Sequence, residues 1–228
     1  MNRIQSLLSV GLCLFALLSG VVAQAAPERW EKVIQRFEKQ DVESPPAKGQ
    51  ILFIGSSSIV GWDLEKYFPE LDALNRGFGG SEIADSNFYF KRMVTSYEPR
   101  KIVLYAGDND IAGGKNAETV VADFKVFYAK VKAEVPGCPV IYVGIKPSIA
   151  RWNLWPEMKA ANDAIAAMAE KDEQLTFFDT AVLTLGEDGK PRADLLKKDG
   201  LHLTPPGYEI WSDAIRPLLV RTNESEKE

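Results

Sequence analysis

The sequence predicts an α/β protein, a three-layer fold with a parallel sheet flanked by helices on both faces. Short apolar runs alternate with helical patterns along most of the chain, which is the order expected of strand–helix–strand units. The runs are continuously apolar, as is typical of strands buried on both faces. Four are clear, at residues 51–54, 101–106, 139–144 and 175–178, and a weaker one lies at 71–75.

Helical patterns fill the intervals between these runs. Val120, Phe124, Phe127, Val131 and Val135 recur at spacings of three or four, which is the apolar stripe of an amphipathic helix. Further helices are predicted over residues 27–39, 81–96, 158–171 and 206–220, with a polar, proline-bearing loop at 41–49. The pattern does not determine the order of the strands.

Length and composition indicate one globular domain, over residues 26–228. The chain has 228 residues, 46% hydrophobic and 26% charged, which is enough for a full core and ordinary for a globular protein. The formal net charge of −5 argues against nucleic acid as a partner, because phosphate binding needs clustered Lys and Arg.

Residues 1–25 are predicted to be a secretory signal peptide. Arg3 gives a basic start, an apolar stretch follows, and Ala23-Gln24-Ala25 is a small-x-small cleavage pattern. The alternative is an uncleaved anchor, but the apolar run is at the short end for crossing a bilayer. We therefore expect a secreted or periplasmic protein with no stable membrane span after cleavage. The mature chain keeps one cysteine, Cys138, so it has no intramolecular disulfide.

Polar motifs follow the predicted strands. They occupy residues 55–58 (Gly-Ser-Ser-Ser), 75–80 (Asn-Arg-Gly-Phe-Gly-Gly), 107–110 (Gly-Asp-Asn-Asp) and 199–202 (Asp-Gly-Leu-His). In an open parallel sheet the turns after the strands share the carboxyl edge, where ligands bind. A hydroxyl, an imidazole, a carboxylate, a carboxamide and glycine amides can therefore converge there, and these groups suit acyl transfer.

The chemistry of acyl transfer assigns a role to each group. A serine hydroxyl, here Ser57, needs a base, and His202 is the only histidine in the chain. Asp199 lies three residues earlier, where its carboxylate can reach Nδ1 of His202. The backbone amides of Ser57 and Gly80 and the side-chain amide of Asn109 are candidate donors to an oxyanion. A helix starting at Ser58 would favour the developing negative charge.

Other interpretations of the same motifs remain open. Gly-Ser-Ser-Ser and Asp-Gly are common in ordinary turns. The carboxylates Asp108, Asp110 and Asp199 are also candidate ligands of a hard cation, which would make the protein a metal-dependent hydrolase. With a single histidine and no cysteine pair, a zinc site is unfavourable.

The four motifs in this order resemble those of the SGNH hydrolases, also called GDSL-like lipases and acylhydrolases. The resemblance runs from Gln50 to about Leu219 and implies a flavodoxin-like fold, strand order 2-1-3-4-5, no cofactor and no metal. It maps the nucleophile to Ser57, the oxyanion donors to Gly80 and Asn109, and the acid–base pair to Asp199 and His202. The family's trailing Gly-Tyr matches residues 207–208.

One position departs from the family pattern. Ser56 stands where the family's nucleophile motif has Asp, so three consecutive serines are available. Alignment with the motif favours Ser57 as the nucleophile, with Ser56 and Ser58 as the natural control positions.

The sequence says less about the substrate. Arg151, Trp152 and Trp155 follow the fourth strand and are candidate substrate-binding residues, for a sugar ring or an anionic group. They can equally cap the core or anchor their loop. Since the chain has no lid insertion, a small-molecule or glycan ester with a short acyl group, such as acetyl, is the expected substrate. The alternatives are a carbohydrate-binding protein with a degenerate site, or a thioesterase or lysophospholipase of the same fold; oligomeric state is not indicated.

Overall fold

The computed structural model describes residues 27–220 as five strands and a set of helices. The strands are β1 Ile51–Gly55, β2 Ala73–Gly77, β3 Lys101–Tyr105, β4 Val140–Val143 and β5 Leu175–Phe178. The α-helices are α1 Glu31–Glu43, α2 Ser57–Val60, α3 Leu64–Tyr67, α4 Ile83–Phe88, α5 Phe90–Met93, α6 Asp108–Ala112, α7 Ala117–Glu134, α8 Trp155–Ala169, α9 Ala181–Thr184 and α10 Pro205–Val220. The predicted signal peptide lies outside the described residues. Within residues 27–220, every helix is too short or too polar to cross a membrane.

The sheet is parallel throughout, with the order β2-β1-β3-β4-β5. This confirms the predicted fold class and the strand order that the family resemblance implies. The register aligns the ends of three strands, because Gly55 of β1 is paired with Gly77 of β2 and with Tyr105 of β3. The segments that follow these strands therefore leave the sheet at the same level.

Side chains alternate across the sheet and build one core on each face. Leu52 and Ile54 of β1 belong to a cluster covered by α1, α4, α5, α7 and α8. Ile51 and Phe53 of β1 belong to a second cluster, covered by α2, α3 and α10. All four side chains are at most 1% exposed, which is why β1 is apolar on both of its faces.

Several element boundaries differ from the prediction. The weak strand lies at 73–77, two residues later than expected, and the first helix extends to Glu43. The predicted helix over 81–96 is two short helices and a 3-10 turn, interrupted where Tyr89 adopts a ψ of 13°. The motif at 107–110, predicted as a turn, forms the start of α6.

Gly55 marks the point where the backbone turns away from β1. Its φ is +131°, and a methyl group added there would overlap the carbonyl oxygen of Tyr105 on the neighbouring strand. Gly114 is a matched control, because it also has a positive φ, +99°, but no atom lies within 4 Å of the position of an added methyl group.

We expect Gly55→Ala to destabilise the protein far more than Gly114→Ala. The unfavourable φ alone costs about 1–2 kcal/mol, whereas the additional steric overlap at Gly55 should bring the loss above about 4 kcal/mol. Urea unfolding of the two variants measures the difference. Equal losses would show that strand β3 does not constrain this turn.

Candidate active site

In the segment after β1, Ser57 is accessible from the surface and its two serine neighbours are buried. The Ser56 amide donates to the Tyr105 carbonyl oxygen at 2.9 Å, which ties the turn to β3. Ser57 begins the single helical turn α2, one residue before the predicted start, and is half-buried. Ser56 and Ser58 are each only 2% exposed. Of the three serines, Ser57 is therefore the one that a substrate can reach.

His202 lies opposite Ser57 on the loop before α10. Its Nε2 is 3.1 Å from the Ser57 Oγ, although the two residues are 145 positions apart in sequence. The loop is held by its own backbone, since the Lys197 amide donates to the His202 carbonyl oxygen at 2.7 Å. An antiparallel bridge between Leu196 and Leu203 joins the two ends of the loop.

Asp199 orients the imidazole from the other side. Its Oδ2 is 2.7 Å from Nδ1 of His202, and its Oδ1 accepts the backbone amides of Leu201 and His202 at 2.9 and 3.0 Å. The hydrogen bond from His202, followed by the two amides, lowers the pKa of the Asp199 carboxyl well below its usual range. A permanently ionised Asp199 favours the tautomer with its proton on Nδ1, which leaves Nε2 able to accept a proton from Ser57.

Helix α10 holds the Ser57 segment in place. The Tyr208 hydroxyl donates to the carbonyl oxygen of Ser58 at 3.0 Å, and the indole of Trp62 donates to the Ser212 hydroxyl at 2.8 Å. Since α10 directly follows His202, the same helix fixes both halves of the Ser57–His202 pair.

Gly80 and Asn109, the two predicted oxyanion donors outside the serine turn, lie in adjoining segments. The Asn109 Nδ2 donates to the carbonyl oxygen of Ser81, the residue after Gly80, at 3.0 Å. A methyl group on Gly79 would lie 3.7 Å from the Ser57 Cβ, so the segment of Gly79 and Gly80 passes directly beside the serine. A carboxamide nitrogen carries two hydrogens, so the bond to Ser81 uses one of them and leaves the second.

Sequence reasoning missed Trp30, which packs against Gly80. A methyl group on Gly80, whose φ is +81°, would lie 3.3 Å from the Trp30 ring. The indole donates to Asp85 at 3.0 Å, and Arg29 lies over the ring at 4.9 Å. Nothing in the local sequence reveals this contact, because it joins the start of the described chain to a segment fifty residues away.

The structure separates the three predicted substrate-binding residues. Arg151 reaches the site, where its Nη1 donates to the Asn109 Oδ1 at 3.1 Å and also binds Asp108. Trp152 and Trp155 stack on each other, with ring centroids 6.3 Å apart, and Trp155 packs against the core. The core-capping interpretation therefore describes Trp155.

The three carboxylates considered as cation ligands do not share a site. Asp108 binds Lys146 and Arg151, Asp110 binds Lys115, and Asp199 binds His202. Burial raises the pKa of Asp110 to about 6, although Lys115 opposes the shift. No group of three or more ligating side chains suited to a metal ion occurs within residues 27–220.

A surface cavity of about 440 Å³ lies elsewhere, between α1 and the segment that includes Arg92 and Tyr97. Two of its lining residues, Arg92 and Glu38, pair with each other, and a third, Asp41, pairs with Arg76. None of the predicted site residues lines this cavity.

Comparison with known proteins places the chain in a family. Residues 54–210 match the model of the GDSL-like Lipase/Acylhydrolase family, so the chain belongs to it. This membership confirms the predicted resemblance and the predicted enzyme class, a carboxylic ester hydrolase. No curated protein sequence matches the chain significantly.

Solved structures share the fold. A GDSL-like lipase from Bacteroides thetaiotaomicron has 20% identity and a TM-score of 0.71, over 82% of this chain and 96% of that one. A proposed platelet activating factor from Streptococcus pneumonia has 20% identity and a TM-score of 0.75, over 84% and 93%. An acetylxylan esterase from Geobacillus stearothermophilus has 17% identity and a TM-score of 0.58, over 77% and 96%. At these identities the likeness shows the fold alone.

We expect a fluorophosphonate to label Ser57, because the Ser57 Oγ can displace fluoride once His202 takes its proton. Labelling should be lost in His202→Ala, because the chain has no other imidazole to take the Ser57 proton. Peptide mass spectrometry locates the label. Ser56→Ala and Ser58→Ala serve as controls and should still be labelled. A label on Ser56 or Ser58, or full labelling of His202→Ala, would contradict the assignment.

Proposed function

We propose that this family member is a serine esterase in which Ser57 is the nucleophile, His202 the general base and Asp199 the residue that orients His202. The observation that carries the proposal is the continuous hydrogen-bonded chain from Asp199 through His202 to Ser57, with distances of 2.7 and 3.1 Å. The accessibility of Ser57, beside two buried serines, supports it further.

The geometry supports a two-stage reaction. The Nε2 of His202 takes the Ser57 proton while Oγ attacks the ester carbonyl carbon, and the imidazolium then returns the proton to the departing alcohol as the ester C–O bond breaks. Water, deprotonated by the same imidazole, then attacks the acyl carbon. The bond from that carbon to the Ser57 Oγ breaks, the imidazolium returns the proton to Oγ, and the carboxylic acid leaves. Asp199 stabilises the imidazolium in both stages without accepting its proton.

Three donors are available to the negative oxygen of the tetrahedral intermediate. The backbone amide of Ser57 is the first of α2 and has no acceptor inside the helix. The Gly80 amide and the second Nδ2 hydrogen of Asn109 complete the proposed oxyanion hole. The four-residue helix α2 is too short to contribute a large dipole, so the individual N–H groups carry this role.

We propose a short acyl group, such as acetyl, on a sugar or another small alcohol as the substrate. The absence of a lid insertion in the sequence supports a short acyl group, and the half-buried Trp30 beside Gly80 offers an apolar surface next to the proposed oxyanion hole. One protein with this fold is an acetylxylan esterase.

Hydrolysis of p-nitrophenyl esters from acetate to decanoate tests this function. We expect turnover of the short esters, with a rate that falls as the acyl chain lengthens, and loss of turnover in Ser57→Ala of at least ~10³-fold. Ser58→Ala, which removes a buried hydroxyl next to the nucleophile, is the matched control and should stay active.

The other outcomes separate the alternatives. A folded wild-type protein that hydrolyses none of the esters and resists fluorophosphonate labelling would overturn the esterase and favour a carbohydrate-binding protein with a degenerate site. Preference for thioesters or lysophospholipids would keep the mechanism and reject the substrate. Full activity in Ser57→Ala would reject the nucleophile.

We also propose export to the periplasm or the medium, supported by the leader-like composition of residues 1–25. N-terminal sequencing of protein expressed from the full gene should show Ala26 as the first residue. A protein that keeps its first 25 residues would contradict cleavage.

A further inference from the structure

We propose that Arg151 is a positioning residue that acts on the reaction through Asn109, rather than a residue that binds the substrate. The inference rests on the proposed function, because it concerns the Asn109 donor of the proposed oxyanion hole. It replaces the role predicted for Arg151 from sequence.

Both ends of the Asn109 amide are held by fixed partners. The Oδ1 accepts from the Arg151 Nη1 at 3.1 Å, and the Nδ2 donates to the Ser81 carbonyl oxygen at 3.0 Å. A terminal amide torsion is broad and roughly two-fold, so a carboxamide without such partners can turn or flip. With a donor on one end and an acceptor on the other, the second Nδ2 hydrogen has a single direction.

The guanidinium of Arg151 is in turn fixed by a buried anion. Its Nη1 binds Oδ1 of Asp108, a residue that is 5% exposed. Each terminal nitrogen of a guanidinium carries two hydrogens, so one nitrogen can serve both Asp108 and Asn109. Only 20% of the Arg151 side chain is exposed, which leaves little of it for a substrate.

A second buried cation, Lys146, binds the other carboxylate oxygen of Asp108. The Lys146 Nζ is 3.3 Å from the other Asp108 oxygen, which also accepts from the Tyr105 hydroxyl at 3.3 Å. Burial alone would raise the pKa of Asp108, but Lys146 and Arg151 together hold it below the usual value. The two cations therefore favour the ionised form of Asp108, which anchors Arg151.

Donation from a cation should also strengthen Asn109 as a donor. A hydrogen bond to the carbonyl oxygen of an amide draws electron density from its nitrogen, and such bonds reinforce one another. The effect matters most when the substrate oxygen becomes negative, so it should appear in kcat rather than in KM.

A double-mutant cycle between Arg151→Ala and Asn109→Ala tests the proposal, with kcat and KM measured on p-nitrophenyl acetate. Asn109→Ala should lower kcat by ~10²-fold, and Arg151→Ala should lower kcat by roughly tenfold with little change in KM. In the Asn109→Ala background, Arg151→Ala should change kcat by less than about twofold, because its only route to the reaction is already gone.

Two further variants keep the result interpretable. Arg100→Ala removes an exposed arginine immediately before β3, at the opposite edge of the sheet from the site, and should leave kcat unchanged. Removing Arg151 weakens the pairing of a buried carboxylate and can prevent folding. In that event the same cycle is run with Arg151→Lys, which keeps a charge for Asp108 but replaces the rigid, planar guanidinium by a shorter side chain with a rotatable ammonium group.

The outcomes separate this inference from the proposed function. An increase in KM with kcat unchanged, or an equal loss with and without Asn109, would show that Arg151 contacts the substrate and would overturn the proposal. An Asn109→Ala variant with full activity would also overturn it, while leaving the Ser57 mechanism standing. If the proposed esterase function is wrong, the wild-type protein will not turn over p-nitrophenyl acetate, and this is seen before any variant is compared.

Discussion

The parallel register of β1 with its two neighbours is the constraint on which the rest of the structure depends. Gly55 is level with Gly77 and with Tyr105, so the three segments that follow these strands begin side by side. A shift of one residue in the register of β1 would turn every side chain of that strand to the opposite face of the sheet. The same shift would move Ser57 away from the segment of Gly79 and Gly80. Fold stability and site geometry therefore depend on one alignment of strands.

Some features of the fold and of the candidate site could be predicted from the sequence, and others could not. The central strands β1, β3 and β4 are buried on both faces, a condition that leaves a clear mark in composition, whereas β2 is partly exposed and carries Asn75 and Arg76. The strand order follows only from the family resemblance, because the pattern of apolar residues carries no order. The predicted helix boundaries are wrong where local backbone geometry determines them, as at Tyr89, whose ψ of 13° interrupts the predicted helix. The motif containing Asn109 reads as a turn because its helix, α6, is only five residues long.

The site shows the same division. Ser57, His202 and Asp199 are predictable because their chemistry requires them and because the chain has only one histidine. Trp30, Lys146 and the position of Arg151 are not predictable, because each depends on contacts between distant segments. Trp30 meets Gly80, and Arg151 meets Asn109, through the packing of elements that no local pattern connects. Such supporting contacts are where a structure adds most to a sequence.

The charges around Asn109 are difficult to explain by stability alone. Asp108 and Asp110 flank Asn109, and both are buried. Each is paired with different cations, and Asp110 also accepts a hydrogen bond from the backbone amide of Ile83 at the start of α4. Burying such pairs costs desolvation energy, and apolar residues of similar volume often stabilise a protein equally well or better. What apolar residues cannot do is fix the direction of a carboxamide. The ion pairs of Asp108 hold Arg151 against Asn109. The contacts of Asp110 hold α4, and with it the segment of Gly80 and Ser81, against α6. The buried charges thus hold together the two segments from which the candidate oxyanion donors project, which is a geometric role that apolar packing would leave unfilled.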